Sequence, residues 1–362
     1  MYSRREFGKL TMSGLALAAW PGSGLLAAQA QTMWANSNVR GVRLGMIGNI
    51  LRNQIVPRGG GPGSAGAPGA PAAPGAAPAA PGGRGGAPAG PPVDPMIAVD
   101  NLIADLRAAG IQYLESGYNE TGKPPLVGGT PQQNRLKAGV EVTPQYLAAR
   151  EAIRNWRITS SLDFPRAVAA KFKEAGIDYF SGVVTVEDDA TDEEIDAIFR
   201  RLQACGVRTF CSNGTRTTIA PKLVEPAAKY NIKPAFHNHD LENDPAEVDS
   251  ADSMEKLLAM SPNFMINLDI GHYTAGNKDA LAFIRAHPTR ISHLHIKDRR
   301  RDHGPSVQYG MGDTPIIPIL QAVRDNRWPI ICVVERDNGD ETGLALDLFK
   351  NKWDYMKRAL EG

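Results

Sequence analysis

All seven histidines of this 362-residue chain lie at or after position 237, and five of them fall in three short motifs. These are Phe236-His237-Asn238-His239-Asp240, Leu268-Asp269-Ile270-Gly271-His272 and His293-Leu294-His295-Ile296-Lys297-Asp298. A fourth apolar run ends in Val333-Val334-Glu335-Arg336. Imidazole and carboxylate together suit one divalent cation, Mn²⁺, Co²⁺, Zn²⁺ or Mg²⁺, without choosing among them. Such an ion can chelate a hydroxy-ketone, polarise its carbonyl and stabilise the enediolate left after a neighbouring proton is removed. Glu335 is the best base in this set. His272, three residues after Asp269, suits a substrate hydroxyl, and Lys297 an oxyanion or another polar substrate group. His239 could touch substrate or orient a ligand from behind. His293 reads as packed inside or behind the ligands, and His287 and His303 as loop or helix-end histidines.

The elements around these motifs say how they could meet. Short apolar runs read as strands at Val42–Gly48, Ile111–Ser116, Ile177–Val184, Val207–Ser212, Ile232–His239, Phe264–Ile270, Ile291–Lys297 and Ile330–Glu335. Helix-like stretches separate them, and the cadence of helix, glycine, strand recurs. Parallel β/α units with right-handed crossovers close into a barrel or leave an open sheet. Eight strands are what a (β/α)8 TIM barrel needs. A ninth contender, Arg157–Leu162, reads instead as a link between two helical pieces, with a turn at Ser160-Ser161 and Asp163. No glycine-rich dinucleotide fingerprint follows the first strand. In a barrel, residues two apart on a strand share a face, and function gathers at the C-terminal strand ends. Four consecutive strands then deliver metal-capable or acid/base groups to one rim. Glu115, ending the second strand, could line the same pocket or cap a turn.

With these motifs in place, the chain from about Arg43 to its end resembles the xylose isomerase-like TIM barrels, the sugar phosphate isomerase/epimerase group. The resemblance rests on Asn267–His272, His293–Asp298, the Gly-Met-Gly-Asp turn at 310–313 and Glu335. It implies one divalent cation, with Asp269, His295 and Glu335 as ligands carried over by position. Where many members have Glu in a Glu-Asn-His motif, this chain has His237 before Asn238-His239. The fourth ligand is then His237 or, reaching back from the following loop, Glu242; His237 is favoured because it lies on the strand. The exchange removes one of the two carboxylates that serve such epimerases as an acid/base pair.

Composition narrows the partners. A formal net charge of +1 leaves no electrostatic footprint for nucleic acid. The three cysteines, Cys205, Cys211 and Cys332, lack metal-type spacing and read as small core residues. The first 31 residues read as an address: Ser3-Arg4-Arg5-Glu6-Phe7 resembles the twin-arginine (Tat) export motif, and Ala28-Gln29-Ala30 a cleavage signal. Pro21, Gly22 and Gly24 stop the apolar run short of a membrane span. The expectation is a periplasmic protein without stable membrane association. The barrel is expected over residues 40–360, interrupted at 58–93 by a Gly/Ala/Pro-rich insertion that has nothing to bury and should be disordered. The expected function is a metal-dependent sugar isomerase or epimerase that abstracts a proton beside the carbonyl of a sugar or keto-sugar. A lyase or dehydratase acting on an oxidised sugar or glycoside, and a carbohydrate-binding barrel without catalysis, are the alternatives. Its partner is a small-molecule carbohydrate.

Overall fold

The structure, a computed structural model, describes residues 35–48, 94–127, 142–241, 244–335 and 345–362. The export signal, the Gly/Ala/Pro-rich insertion and Glu242 lie outside the described residues.

Eight strands form a closed parallel barrel: β1 (Val42–Ile47), β2 (Tyr113–Ser116), β3 (Asp178–Val183), β4 (Thr209–Ser212), β5 (Lys233–His237), β6 (Met265–Asp269), β7 (Ile291–Ile296) and β8 (Ile331–Val334). Each pairs with its sequence neighbours, and β1 pairs with both β2 and β8, which closes the ring. All eight lie within the runs expected from sequence, trimmed at their ends. A short strand, Asn38–Val39, pairs back antiparallel on β1.

The helices follow from their caps. Helix α1 (Pro95–Ala109) starts on Asp94, whose side chain accepts from Met96 N–H, and stops at Gly110 in the left-handed region, φ 68°. Helices α2 (Pro144–Thr159) and α3 (Asp163–Ala175) flank Ser160 to Leu162, so the contender at Arg157–Leu162 is helix and turn, not strand. Helix α4 (Asp192–Ala204) is capped by Thr191. Glu194 of α4, fully buried, takes Arg157 at 2.8 Å, Arg150 at 2.9 Å and Arg154 at 3.3 Å, and thereby clamps α2 to α4.

Outward-facing strand residues such as Leu44, Leu114, Ile266, Leu294 and Cys332 pack with the helices into the main core. Inside the barrel, Phe180, Ile331 and Val333 fill the layer below the site. Among the described residues no helix is long and apolar enough to cross a membrane.

Candidate active site

Strand register places the ligand-type residues. Asp269 of β6 lies opposite His295 of β7, and His295 opposite Val333 of β8, two residues before Glu335. A register shift between Ile266 and Asn267 adjusts β6 just below Asp269. Asp269, His295 and Glu335 offer donor atoms that all lie within 4.8 Å of one another. His295 Nδ1 is 2.9 Å from Glu335 Oε2. Asp269 Oδ2 and His295 Nδ1 are buried yet make no hydrogen bond of sound geometry. One imidazole nitrogen and two carboxylates within this reach fit a divalent cation bound by oxygen and nitrogen.

The far side of the His295 ring is held from across the barrel. Its Nε2 lies 2.8 Å from Glu115 Oε1, and the other oxygen of Glu115 is 2.7 Å from His293 Nε2. A register shift between Leu114 and Glu115 accompanies this placement on β2. Glu115 is therefore inside the barrel against the site's histidines and does not cap a turn, and His293 is packed inside the barrel as expected. Burial disfavours the charged form of His295, but the flanking carboxylates of Glu115 and Glu335 outweigh it and raise its pKa to about 10. Burial likewise works against ionised Glu115, yet His295 and His293 hold its pKa well below the usual carboxylate range. With Nε2–H given to Glu115, Nδ1 is the nitrogen left for a cation.

His237 stands one step aside. Its donor atoms group with Asp269 and His272, and separately with Cys211 and His295. Nδ1 lies 2.5 Å from Asn267 Oδ1, so Nε2 is the nitrogen that could reach a cation. Burial first, then the neighbouring His295 and His239, lower its pKa far below the ordinary value, so it is a neutral donor. Of the cysteines, all free and buried, Cys205 and Cys332 join the core as expected. Cys211 instead looks into the barrel, its Sγ 4.0 Å from Asn267 Oδ1.

The remaining predicted residues ring the pocket mouth. Lys297 Nζ lies 3.0 Å from Asp269 Oδ2, 3.1 Å from Glu335 Oε1 and 3.1 Å from His272 Nε2. His272 Nδ1 is 2.9 Å from Asp240 Oδ1, an oxygen that Arg299 also reaches at 2.8 Å. Burial opposes ionisation of Asp240, but His272 and Arg299 hold its pKa far below the usual range. His239 Nδ1 meets buried Glu247 at 2.8 Å, and its ring centre is 4.9 Å from that of His237. The side chains of Glu335, His272, His239 and Asp240 keep between 12% and 18% exposure, whereas Asp269 has none. His287 caps a helix end, and His303 sits in a turn at the cluster's edge, its Nδ1 3.4 Å from Asp240 Oδ2.

Sequence reasoning passed over Glu247, Asn267 and Arg299, and gave Asp240 no role although it sat within a quoted motif. The signal for Asn267 and Arg299 was present: each is two residues from a named site residue, on the same strand face or its continuation. Glu247 had no such signal, because a loop carries it back to His239. The Gly-Met-Gly-Asp turn has a structural reason. Asp298 Oδ2 accepts from Gly310 N–H at 2.8 Å and Gly312 N–H at 3.0 Å, fastening the loop after β7 beneath Lys297.

Comparison with known proteins bears on the barrel that carries this site. Residues 220–352 match the family described as Xylose isomerase-like TIM barrel. Over that span the chain resembles those barrels. Inosose dehydratase of Clostridium tetani is 30% identical over 160 residues, which cover 38% of this chain and 52% of that enzyme. Inosose dehydratase of Lactiplantibacillus plantarum is 25% identical over 155 residues, covering 38% and 50%. The chain thus spans about half the length of the curated relatives it matches. Among solved structures, an L-ribulose 3-epimerase aligns with a TM-score of 0.51 at 12% identity, over 73% of this chain and 89% of that one. A xylose isomerase domain protein of Alicyclobacillus acidocaldarius aligns with a TM-score of 0.50 at 15% identity, over 73% and 94%. At such identities the structural likeness speaks for the barrel alone.

Proposed function

We propose that this chain is a divalent-cation-dependent enzyme that removes the proton beside the carbonyl of a keto-sugar or related polyhydroxy ketone, with loss of a β-hydroxyl as water. The observation that carries the reading is the convergence of Asp269, His295 and Glu335 within 4.8 Å, with Glu335 the exposed carboxylate among them. His237 completes the ligand set from β5 through Nε2. When bound, the ion supplies charge against the oxygen of the carbonyl that becomes the enolate. Glu335 takes the α-proton, and its electron pair forms the new double bond towards the carbonyl carbon. The β-carbon–oxygen bond then breaks as the enolate returns its pair, and the oxygen leaves as water with the proton that Glu335 hands back. His272, steadied by Asp240, faces that departing or neighbouring hydroxyl.

The β5 position favours elimination over epimerisation. Two-base epimerisation needs a second carboxylate facing the substrate, and His237 stands there neutral with a nitrogen committed to the ion. Similarity to two inosose dehydratases supports the same class of reaction. The test is incubation of the Mn²⁺-loaded chain with keto-inositols and keto-sugars in heavy water. Loss of water, with deuterium appearing at the former hydroxyl-bearing β-carbon of the dehydrated product, supports the reading. Efficient formation of an epimer without water loss would assign the site to two-base chemistry instead. No exchange with any ketone would leave a barrel that binds carbohydrate without transforming it. We also propose export through the Tat route, on the strength of Arg4-Arg5 and the signal that follows.

A further inference from the structure

An ion and an ammonium at this site need the same oxygen. Asp269 Oδ1 is committed to backbone: it accepts from His272 N–H at 2.8 Å and caps the short helix Ile270–Ala275. Oδ2 is what remains for a cation, and Lys297 Nζ lies 3.0 Å from it. The same ammonium bridges to Glu335, the second carboxylate of the ligand group, at 3.1 Å. The side chain of Lys297 is buried, so these contacts are made away from bulk water. Its stem is aimed by the neighbouring strand end. A Cβ on Gly271 would fall 2.8 Å from Lys297 Cβ and 2.9 Å from Cγ, so the glycine of the Asp-Ile-Gly-His motif clears the path for the lysine of His-Ile-Lys-Asp.

Resting on the reading that Asp269, His295 and Glu335 hold the cation, we propose that Lys297 is an internal competitor for that ion. Binding transfers Asp269 Oδ2 from the ammonium to the ion, and Nζ retains His272 Nε2, 3.1 Å away at the pocket mouth. Cation loading and presentation of the ammonium to substrate become one event. Buried Asp269 and partly buried Glu335 are then never left without a positive partner, which is what desolvated anions require.

The experiment is isothermal titration of the chelator-treated full chain with Mn²⁺, in the parent and in Lys297→Met, with melting temperatures in both states. Lys297→Met should bind Mn²⁺ about tenfold tighter or more, because a like charge a few ångströms from the ion is gone. Its melting temperature without metal should fall, and Mn²⁺ should raise it by more than in the parent. Equal or weaker affinity in Lys297→Met, while the parent binds Mn²⁺, overturns the proposal. A parent that binds no Mn²⁺ overturns the cation reading itself, a distinguishable result. If Lys297→Met does not fold, amine acylation of the parent followed by peptide mass spectrometry decides the matter. Mn²⁺ should accelerate acylation of Lys297 severalfold; an unchanged or slower rate overturns the proposal.

Discussion

Loading a cation onto His295 should release a proton, and Glu115 should set how tightly that proton is held. The ring lies between Glu115 at 2.8 Å and Glu335 at 2.9 Å, which raises its pKa to about 10 against the tendency of burial to lower it. At pH 7.5 the cation-free chain therefore carries His295 as imidazolium. Nδ1 must lose its proton to become a ligand, so affinity for Mn²⁺ should climb roughly tenfold per pH unit from pH 6 to 9. Calorimetry in two buffers of different ionisation enthalpy should count about one proton released per ion. In Glu115→Gln, the amide oxygen still accepts Nε2–H and keeps the ring aimed, but one of the two anions is gone. The proton count at pH 7.5 should drop well below one and the pH profile should flatten. At pH 9 the usual tenfold to hundredfold loss when a partner behind a ligand is removed is offset about tenfold by the vanished proton competition, so affinity should be roughly equal to tenfold weaker. The sign for folding is the reverse of that for binding. A histidine whose pKa is raised by folding stabilises the cation-free chain fully below about 6.5. That contribution is lost as pH rises towards 10. A proton count near zero for the parent at pH 7.5, or a full proton retained in Glu115→Gln, would refute the argument.

Asp269→Asn should fold, since its amide oxygen can still accept from His272 N–H and cap the helix, but its Mn²⁺ affinity should fall by at least a hundredfold on titration. Glu194→Ala takes the shared carboxylate from Arg150, Arg154 and Arg157, which keep Asp189 (Arg150 and Arg154) and Glu120 (Arg157), and should cost about 2 kcal/mol in denaturant unfolding, less than the ~3–5 kcal/mol of a buried charge left wholly unpaired. A loss below about 1 kcal/mol would mean that solvent screens the cluster. Replacing Arg4 and Arg5 by Lys should leave the precursor in the cytoplasm on fractionation, and normal periplasmic yield would refute the Tat assignment.

The barrel was legible because each strand is short and apolar and each helix has a readable stop. Gly110 and Gly176 end their helices in the left-handed region and hand the chain to β2 and β3. At the corresponding point before β5 the left-handed residue is Asn231, φ 51°, which a search for glycine alone passes over. The donor residues were legible through their alternation: His293, His295 and Lys297 share a face, as do Asn267 and Asp269. What sequence left open is partnership between distant strands. Nothing in the run Tyr113–Ser116 shows that Glu115 will grip two histidines 178 and 180 residues later. Barrel closure and a register shift create that contact, and neither is written in local periodicity. The Arg150–Arg154–Arg157 row was similarly unreadable as a clamp, because its meaning lies in Glu194 on another helix.

The motifs are interlocked parts of one device, and this explains why they occur together. Asp269 ends β6, offers Oδ2 to a cation and uses Oδ1 to start the helix that carries His272. Gly271, inside that helix, leaves room for the Lys297 stem. Lys297 ties back to Asp269 and forward to Glu335, so β6, β7 and β8 share one ammonium. Asp298, the next residue, binds the amides of Gly310 and Gly312 and anchors the loop on the other side of Lys297. A change at Gly271 or Asp298 would therefore act on the cation site without touching a ligand, by moving the lysine that competes for Asp269. The chemistry assigned to Glu335 depends on the same linkage: while Lys297 holds its Oε1, the carboxylate is a salt-bridge partner and a poor base. Cation binding that draws the ammonium aside would free Glu335 Oε1 to accept a carbon-bound proton while Oε2, beside His295, serves the ion.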